Sequence, residues 1–416
     1  MINITIHRGA HQIGGCATEI TTENCKIIVD LGSNLPGSEA KEFSKEQVSR
    51  IVAGADALFY THYHGDHVGL FPMVPQEIPQ YIGPCAKEVM QCKYKALHKD
   101  EELSSIGEMR TYQEGQIIDV NEKNEILVTP YYISHSAFDA YMFRIECEGR
   151  TILHTGDFRG HGYLSKKLME VLHRYVGKVD ILITEGTMLG RPNERVLPER
   201  EVKVNIRNVL KDHKYTFALT SSTDMERLAS FHAACKEIGR HFWVDAYQKN
   251  VLECFARHTK ASLFNFDSVF QYNGHDSENV VREMKSKGFL MLVRTGHYQR
   301  VREMLDIYNE EPAYLIYSMW SGYAEVNKPY SNNAVLDFRH LFGSHIVDGT
   351  KDGVHTSGHA DLHTLSEVCE TVDPRIGIIP IHKDKDTRFS VVSGLGNYKL
   401  FTEEYQRIAN INITLR

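Results

Sequence analysis

Between residues 215 and 320 strand-like and helix-like segments alternate. "YTFALTSS" precedes "DMERLASFHAACKEIG", "HFWVDA" precedes "YQKNVLECFARH", "GFLMLVRT" precedes "HYQRVREMLDIYN", and "AYLIYSMW" closes the series. Strands separated by helical crossovers demand a parallel sheet, because the chain must travel back before it can pair again in the same direction. The flanking texture differs. "INITIHRG", "CATEITTE" and "KIIVDLG" are short strands bounded by Gly, Asn or charge, as are "EILVTPYYIS", "AYMFRIECEG" and "RTILHTGDF". "SKEQVSRIVAG" reads as a helix, with Ser44 and Gln47 as a capping box and Gly54 as its stop. After "VDILITEGT" the chain becomes charged and proline-containing, which marks a boundary near 190. Near 350 the Gly-, His- and strand-rich texture returns. One α/β domain is therefore expected inside another: 1–190 and 351–416 form the first, and 191–350 the second.

Bulk properties narrow the class. With 42% hydrophobic and 24% charged residues, the 416-residue chain has an ordinary globular composition. It contains no apolar run long enough for a membrane span. "MINITIHRGAHQIGG" lacks the layout of an export leader. Eight cysteines without a CxxC pair suit buried thiols in a reducing compartment, so a cytoplasmic location is expected. A net charge of -7 counts against a uniformly basic nucleic-acid binder, although a local basic groove can sit on an acidic protein.

The chemistry concentrates at strand ends. "ALFYTHYHGDHVGL" places His62, His64, Asp66 and His67 directly after an apolar run. Imidazole nitrogen and carboxylate oxygen suit a borderline divalent ion such as zinc. On a loop, the HxHxDH spacing lets two residues face one ion and two face another. Further donors follow other strands: His135 in "YISHSAFD", Asp157 in "LHTGDFRGHG" and His382 in "IIPIHKDKD". Asp157 can bridge two ions because a carboxylate has two oxygens. His7, His11, His154 and His161 are read as structural or supporting. Arg282, Lys285, Lys287, Arg294, Arg300 and Arg302 form either a solvated face or a wall along a nucleic-acid backbone. Ser222 and Thr223 stand at a helix N-terminus, which suits either ordinary capping, the expectation here, or a phosphate.

HxHxDH, then "HS", then "TGDF", preceded by "VDLG" with Asp30, resembles the metallo-β-lactamase fold. "TEGT" with Glu185, "HTSGHAD" with His359 and "PIHKD" with His382 are similar to the three motifs of the β-CASP nucleases, closest to ribonuclease J. The resemblance implies a four-layer αββα sandwich with an inserted α/β β-CASP domain. It implies two zinc ions per chain, with manganese as the alternative. His62, His64 and His135 would hold one ion, Asp66, His67 and His382 the other, and Asp157 would bridge them. Asp30 would orient the histidine loop. A metal-bridging hydroxide would attack phosphorus, Asp66, Glu185 and His359 would serve catalysis, and Glu185 would charge a neighbouring imidazole. His355, Thr356, Ser357, Gly358 and His359 would bind the substrate, single-stranded RNA. The alternatives are a hydrolase of DNA or of a small molecule, and an inactive nucleic-acid-binding scaffold.

Two departures stand out. Where ribonuclease J carries a Gly-Ser-Gln-Gly-Glu-like loop, this chain reads "RTGHYQRVRE", with His297 and Tyr298 in place of small residues. The chain also stops soon after the third motif. The C-terminal domain that helps longer members dimerise is therefore not expected, and a homodimer is left as an open assembly. Both departures point away from strict dependence on a 5′-monophosphate, towards endonuclease action or exonuclease action indifferent to the end group.

Overall fold

The computed structural model describes residues 1–274, 277–408 and 410–416. The chain divides into two compact units. One comprises Met1–Gly160, Leu164–Glu194 and Gly358–Arg416; the other comprises His161–Tyr163 and Arg195–Ser357. The stretch 351–357, expected with the returning part of the first domain, thus groups with the second unit.

The first unit is built on two sheets of eight and six strands. Ile2, Ile4 and Ile6 alternate inward along Ile2–Arg8. Its parallel neighbour Ile411–Leu415 turns Ile413 and Leu415 into the same core. These residues join Phe59, Phe143, Ile152, Ile183 and Ile381, drawn from both sheets, in one apolar layer. The outer face of the six-stranded sheet is covered by helix Leu362–Val372, whose Leu365, Val368 and Val372 pack with Leu153, Leu182 and Ile378. Helices Lys45–Val52 and Pro84–Ala96 bury Val48, Ile51, Val89 and Met90. The layering is the αββα sandwich, and the Ser44–Gln47 capping box is formed.

Strand direction assembles the site. Arg150–His154, Ile181–Glu185 and Gly377–Ile381 run parallel. Ile126–Ile133 is antiparallel to Ala140–Cys147, which is antiparallel to Arg150–His154, so it points the same way as that strand. Glu185, at the end of its strand, and His135, Asp157 and His382, which follow theirs, therefore emerge at one edge.

The second unit contains a six-stranded sheet in the order Val269–Gln271, His241–Val244, Phe289–Val293, Tyr215–Thr220, Tyr314–Ser318, Ile346–Asp348, parallel throughout. Phe217, Leu219, Met291 and Leu315 lie in its core. One local expectation is corrected. Helix Met225–Ile238 is capped by Asp224, whose carboxylate accepts from the Arg227 amide at 3.2 Å, and not by Ser222 or Thr223. Ser221 instead accepts from the Thr223 amide at 3.3 Å, which turns the chain one step before the helix begins. No helix among the described residues is long and apolar enough to cross a membrane.

Candidate metal centre

The HxHxDH loop is held by its backbone. His64 is the N-cap of the short helix Gly65–Val68. The Asp66 carbonyl accepts from the Cys16 amide at 2.9 Å, and the His67 carbonyl from the Leu31 amide at 2.8 Å. Gly32 passes so close that a Cβ there would lie 1.7 Å from the Asp66 carbonyl oxygen, so no larger residue fits. The Asp30 carboxylate accepts from the Thr61 amide at 2.7 Å and from His67 Nδ1 at 2.8 Å.

Each buried imidazole is tied at one nitrogen. His62 Nδ1 meets Thr61 Oγ1 at 3.0 Å, His67 Nδ1 meets Asp30, His135 Nδ1 meets the Gly358 carbonyl at 2.7 Å, and His382 Nδ1 meets Thr187 Oγ1 at 2.7 Å. That leaves Nε2 as the donor atom of all four, an arrangement in which the outer partner sets the ring orientation. His64 presents Nδ1, 3.2 Å from His135 Nε2. His62, His64 and His135 bring one nitrogen each within 4.8 Å of one another. On the other side His382 Nε2 lies 3.1 Å from Asp66 Oδ2 and 3.4 Å from Asp157 Oδ2. His67 Nε2 lies 3.1 Å from Asp157 Oδ2 and 3.9 Å from Asp66 Oδ2. His62 Nε2 and Asp157 Oδ1 are buried with no hydrogen-bond partner among the described residues. Orphaned polar atoms at this depth are costly, and a cation between the two groups satisfies both. The donor set therefore fits divalent metal.

The electrostatics agree with that fit. Burial, reinforced by neighbouring imidazoles, pushes His62 and His135 well below the usual histidine range, and burial takes His64 down to about 4. These rings offer lone pairs. Burial opposes ionisation of Asp66, yet the His382 hydrogen bond and the charge of His67 hold it at about 2. Burial also works against a charged His67, but Asp157, Cys16 and Asp30 outweigh it and raise that ring well above its ordinary value. A metal ion would take over the role of this proton, so metal uptake competes with protons.

Glu185 and His359 form a separate pair. Glu185 is buried and receives three backbone N–H groups: Phe158 at 3.3 Å, Ala360 at 3.1 Å and Thr187 at 3.1 Å. His359 Nδ1 lies 3.1 Å from its Oε2 and 3.7 Å from Asp157 Oδ2. Burial pulls His359 down, but Glu185 and Asp157 together raise it above the usual range. Asp157, Glu185, His359 and His382 also converge within 4.8 Å.

The remaining candidates are placed as follows. Gly358 and His359 belong to the first unit, and His355, Thr356 and Ser357 to the second. In the second unit Arg294 is bound by Asp245, Lys285 pairs with Glu310 at 2.9 Å, and Arg300 stacks over Tyr272 at 4.4 Å. His297 Nε2 is held at 3.3 Å from Asp245 Oδ2, while Tyr298 stays exposed. His7 pairs with Glu19, His154 meets Thr18 and the Gly156 amide, and His161 meets the Ser357 carbonyl. Sequence reasoning missed Thr61, Thr187 and Cys16. Cys16 comes within 4.8 Å of His67 and His382. Its signal was the tight "GGC" turn; Thr61 stands just before His62, and Thr187 closes "TEGT".

Residues 15–165 match the Metallo-beta-lactamase superfamily. The chain is 23% identical to Ribonuclease J of Sinorhizobium meliloti over 380 residues, covering 86% of this chain and 63% of that protein. It is 29% identical to Ribonuclease J of Helicobacter pylori over 170 residues, covering 38% of this chain and 23% of the other. It thus spans less than two thirds of the length of these relatives. A crystal structure of a protein of unknown function from Enterococcus faecalis shares the fold, with a TM-score of 0.68 at 17% identity, covering 96% of this chain and 97% of that one.

Proposed function

We propose that this chain, which carries a metallo-β-lactamase domain and is similar to ribonuclease J, hydrolyses the phosphodiester bonds of single-stranded RNA with two divalent ions, zinc or manganese, as cofactors. The observation that carries the reading is the donor set itself. Four imidazoles are fixed at Nδ1 so that Nε2 faces inward, and two buried carboxylates stand between them.

His62, His64 and His135 would hold one ion, and Asp66, His67 and His382 the other, with Asp157 between them. When bound, such ions acidify a water to serve as nucleophile and neutralise charge growing on phosphoryl oxygens. Asp30 keeps the loop in register through Thr61 and His67. Glu185, fixed by three amides, favours the protonated form of His359 and aims it. His359 then donates a hydrogen bond to a phosphoryl oxygen, or its proton to the departing 3′-oxygen. The stretch His355–Gly358 supplies hydroxyl and backbone donors for an RNA phosphate.

The test is incubation with 5′-labelled single-stranded RNA and the matching DNA, with and without chelator, and with products resolved by length. Metal-dependent shortening of the RNA supports the reading. Cleavage of DNA alone, or of neither by protein loaded with metal, overturns it.

A further inference from the structure

The second unit contains a buried ion pair that the chemistry above does not use. Arg227 and Glu199 are each 1% exposed. Arg227 donates from Nε to Glu199 Oε1 at 2.6 Å and from Nη2 to Glu199 Oε2 at 3.0 Å. Replacing such a pair by apolar residues of similar volume is often neutral or stabilising, so stability alone is a weak reason for its presence.

The remaining donors of Arg227 show what the pair accomplishes. Nη1 reaches Ser318 Oγ at 2.7 Å and His355 Nδ1 at 3.0 Å, and Nη2 reaches the Thr356 carbonyl at 3.3 Å. Ser318 Oγ in turn donates to the Val354 carbonyl at 2.7 Å. The same short stretch is fixed from other sides. The Leu197 amide donates to Thr356 Oγ1 at 3.0 Å, the His355 amide donates to the Gly349 carbonyl at 3.1 Å, and His161 Nε2 donates to the Ser357 carbonyl at 2.7 Å. Gly349 packs so tightly that a Cβ on it would lie 2.7 Å from the Cβ of His355. Glu199 is also oriented, accepting from Ser230 Oγ at 2.9 Å.

A guanidinium has five donors and no acceptor. An imidazole nitrogen facing it must accept, so in neutral His355 the proton sits on Nε2. We propose that Arg227 is a positioning residue for the His355–Ser357 segment: it fixes the His355 tautomer and the Thr356 carbonyl, and Glu199 fixes Arg227. The proposal rests on the reading that this segment contacts RNA, and it extends that reading to two buried residues outside any motif.

The experiment uses the full chain loaded with metal. Long-range nitrogen–proton correlation spectra of 15N-histidine-labelled protein, with the His355 signal assigned from H355N, report the tautomer without reference to activity. The variants are R227K and the double substitution E199L/R227M. Lysine keeps the charge beside Glu199 but cannot reach Ser318, His355 and Thr356 together. E199L/R227M removes the pair without stranding a charge. In wild type, His355 is expected as the Nε2–H form. In either variant the Nδ1–H form should appear, and kcat/KM should fall up to ~100-fold, the scale of a small misplacement, with metal content unchanged. Wild-type tautomer and wild-type kcat/KM in R227K would overturn the proposal, as would the same result in a folded E199L/R227M protein. If wild type itself cuts no RNA, the functional reading fails, while the tautomer comparison still decides what Arg227 does.

Discussion

His359 shows how much rests on the atoms behind a side chain. Its Nδ1 is bound to Glu185, which is itself held by three amides. Replacing His359 by Ala should keep both metal ions and lower kcat by about 10²–10³, the range for losing one transition-state donor. Elemental analysis of the variant beside its kinetics checks this, and loss of metal would show that His359 is a ligand. Gly32 presents the opposite case, a residue without chemistry on which the placement of Asp66 depends. A methyl group at 32 collides with the Asp66 carbonyl, so Gly32→Ala must displace the backbone that carries Asp66 and His67. The expected outcome is a protein that retains less than its full complement of metal, read by elemental analysis.

At the level of elements, helix Ala246–His258 offers a test of pH dependence. Its N-cap Asp245 accepts from the Gln248 amide at 2.8 Å and binds Arg294 and His297. Partial burial opposes its ionisation, but His297 and Arg294 hold its carboxyl well below the usual range. A carboxylate depressed on folding adds stability above its unfolded value, and that stability drains away as the pH falls towards the folded value. Asp245→Asn should therefore lower the melting temperature at neutral pH and leave it less sensitive to acid below about pH 4. Melting curves of both proteins across that range check the sign. The parallel strands between 215 and 320 were legible because they are buried on both faces and read as continuous apolar runs. The cluster of imidazoles and carboxylates was legible because HxHxDH compresses four of its members into one loop. The cap at Asp224 was not, since Ser222, Thr223 and Asp224 are all good caps and only backbone geometry chooses among them. Thr187 and the Gly358 carbonyl were illegible as partners of His382 and His135 for another reason: they arrive from far away in sequence.

For the whole molecule, the donor set predicts close to two equivalents of zinc or manganese in protein purified without chelator. His64→Ala or Asp157→Ala should abolish activity and leave the inserted sheet folded, because that sheet has its own core. The two-unit contact pattern makes this measurable as a separate unfolding transition. The expectation for RNA ends concerns the inserted unit. His297 is bound to Asp245 and Arg294 at the start of helix Tyr298–Ile307. Rates on 5′-hydroxyl, monophosphate and triphosphate forms of one RNA should differ by less than about tenfold, roughly 1.4 kcal/mol. A larger preference for the monophosphate would require a phosphate pocket built from other residues.

The strand pairing of the first unit also sets an order of events on the ribosome. Ile2–Arg8 takes Ile411–Leu415 as its parallel neighbour, and His382 lies beyond the entire insertion. Ile2–Arg8 therefore emerges with one edge exposed, and that edge stays open until Ile411–Leu415 has been translated. Every strand of the inserted sheet lies between Tyr215 and Asp348, so that sheet can close while the outer one still waits. Vectorial synthesis thus favours completing the insertion first and recruiting metal last. Stalled nascent chains ending near residue 395, with the inserted sheet clear of the exit tunnel and His382 still inside it, should already protect that sheet from protease while binding no more than part of the metal. Chains released without Ile411–Leu415 should aggregate through the unpaired edge.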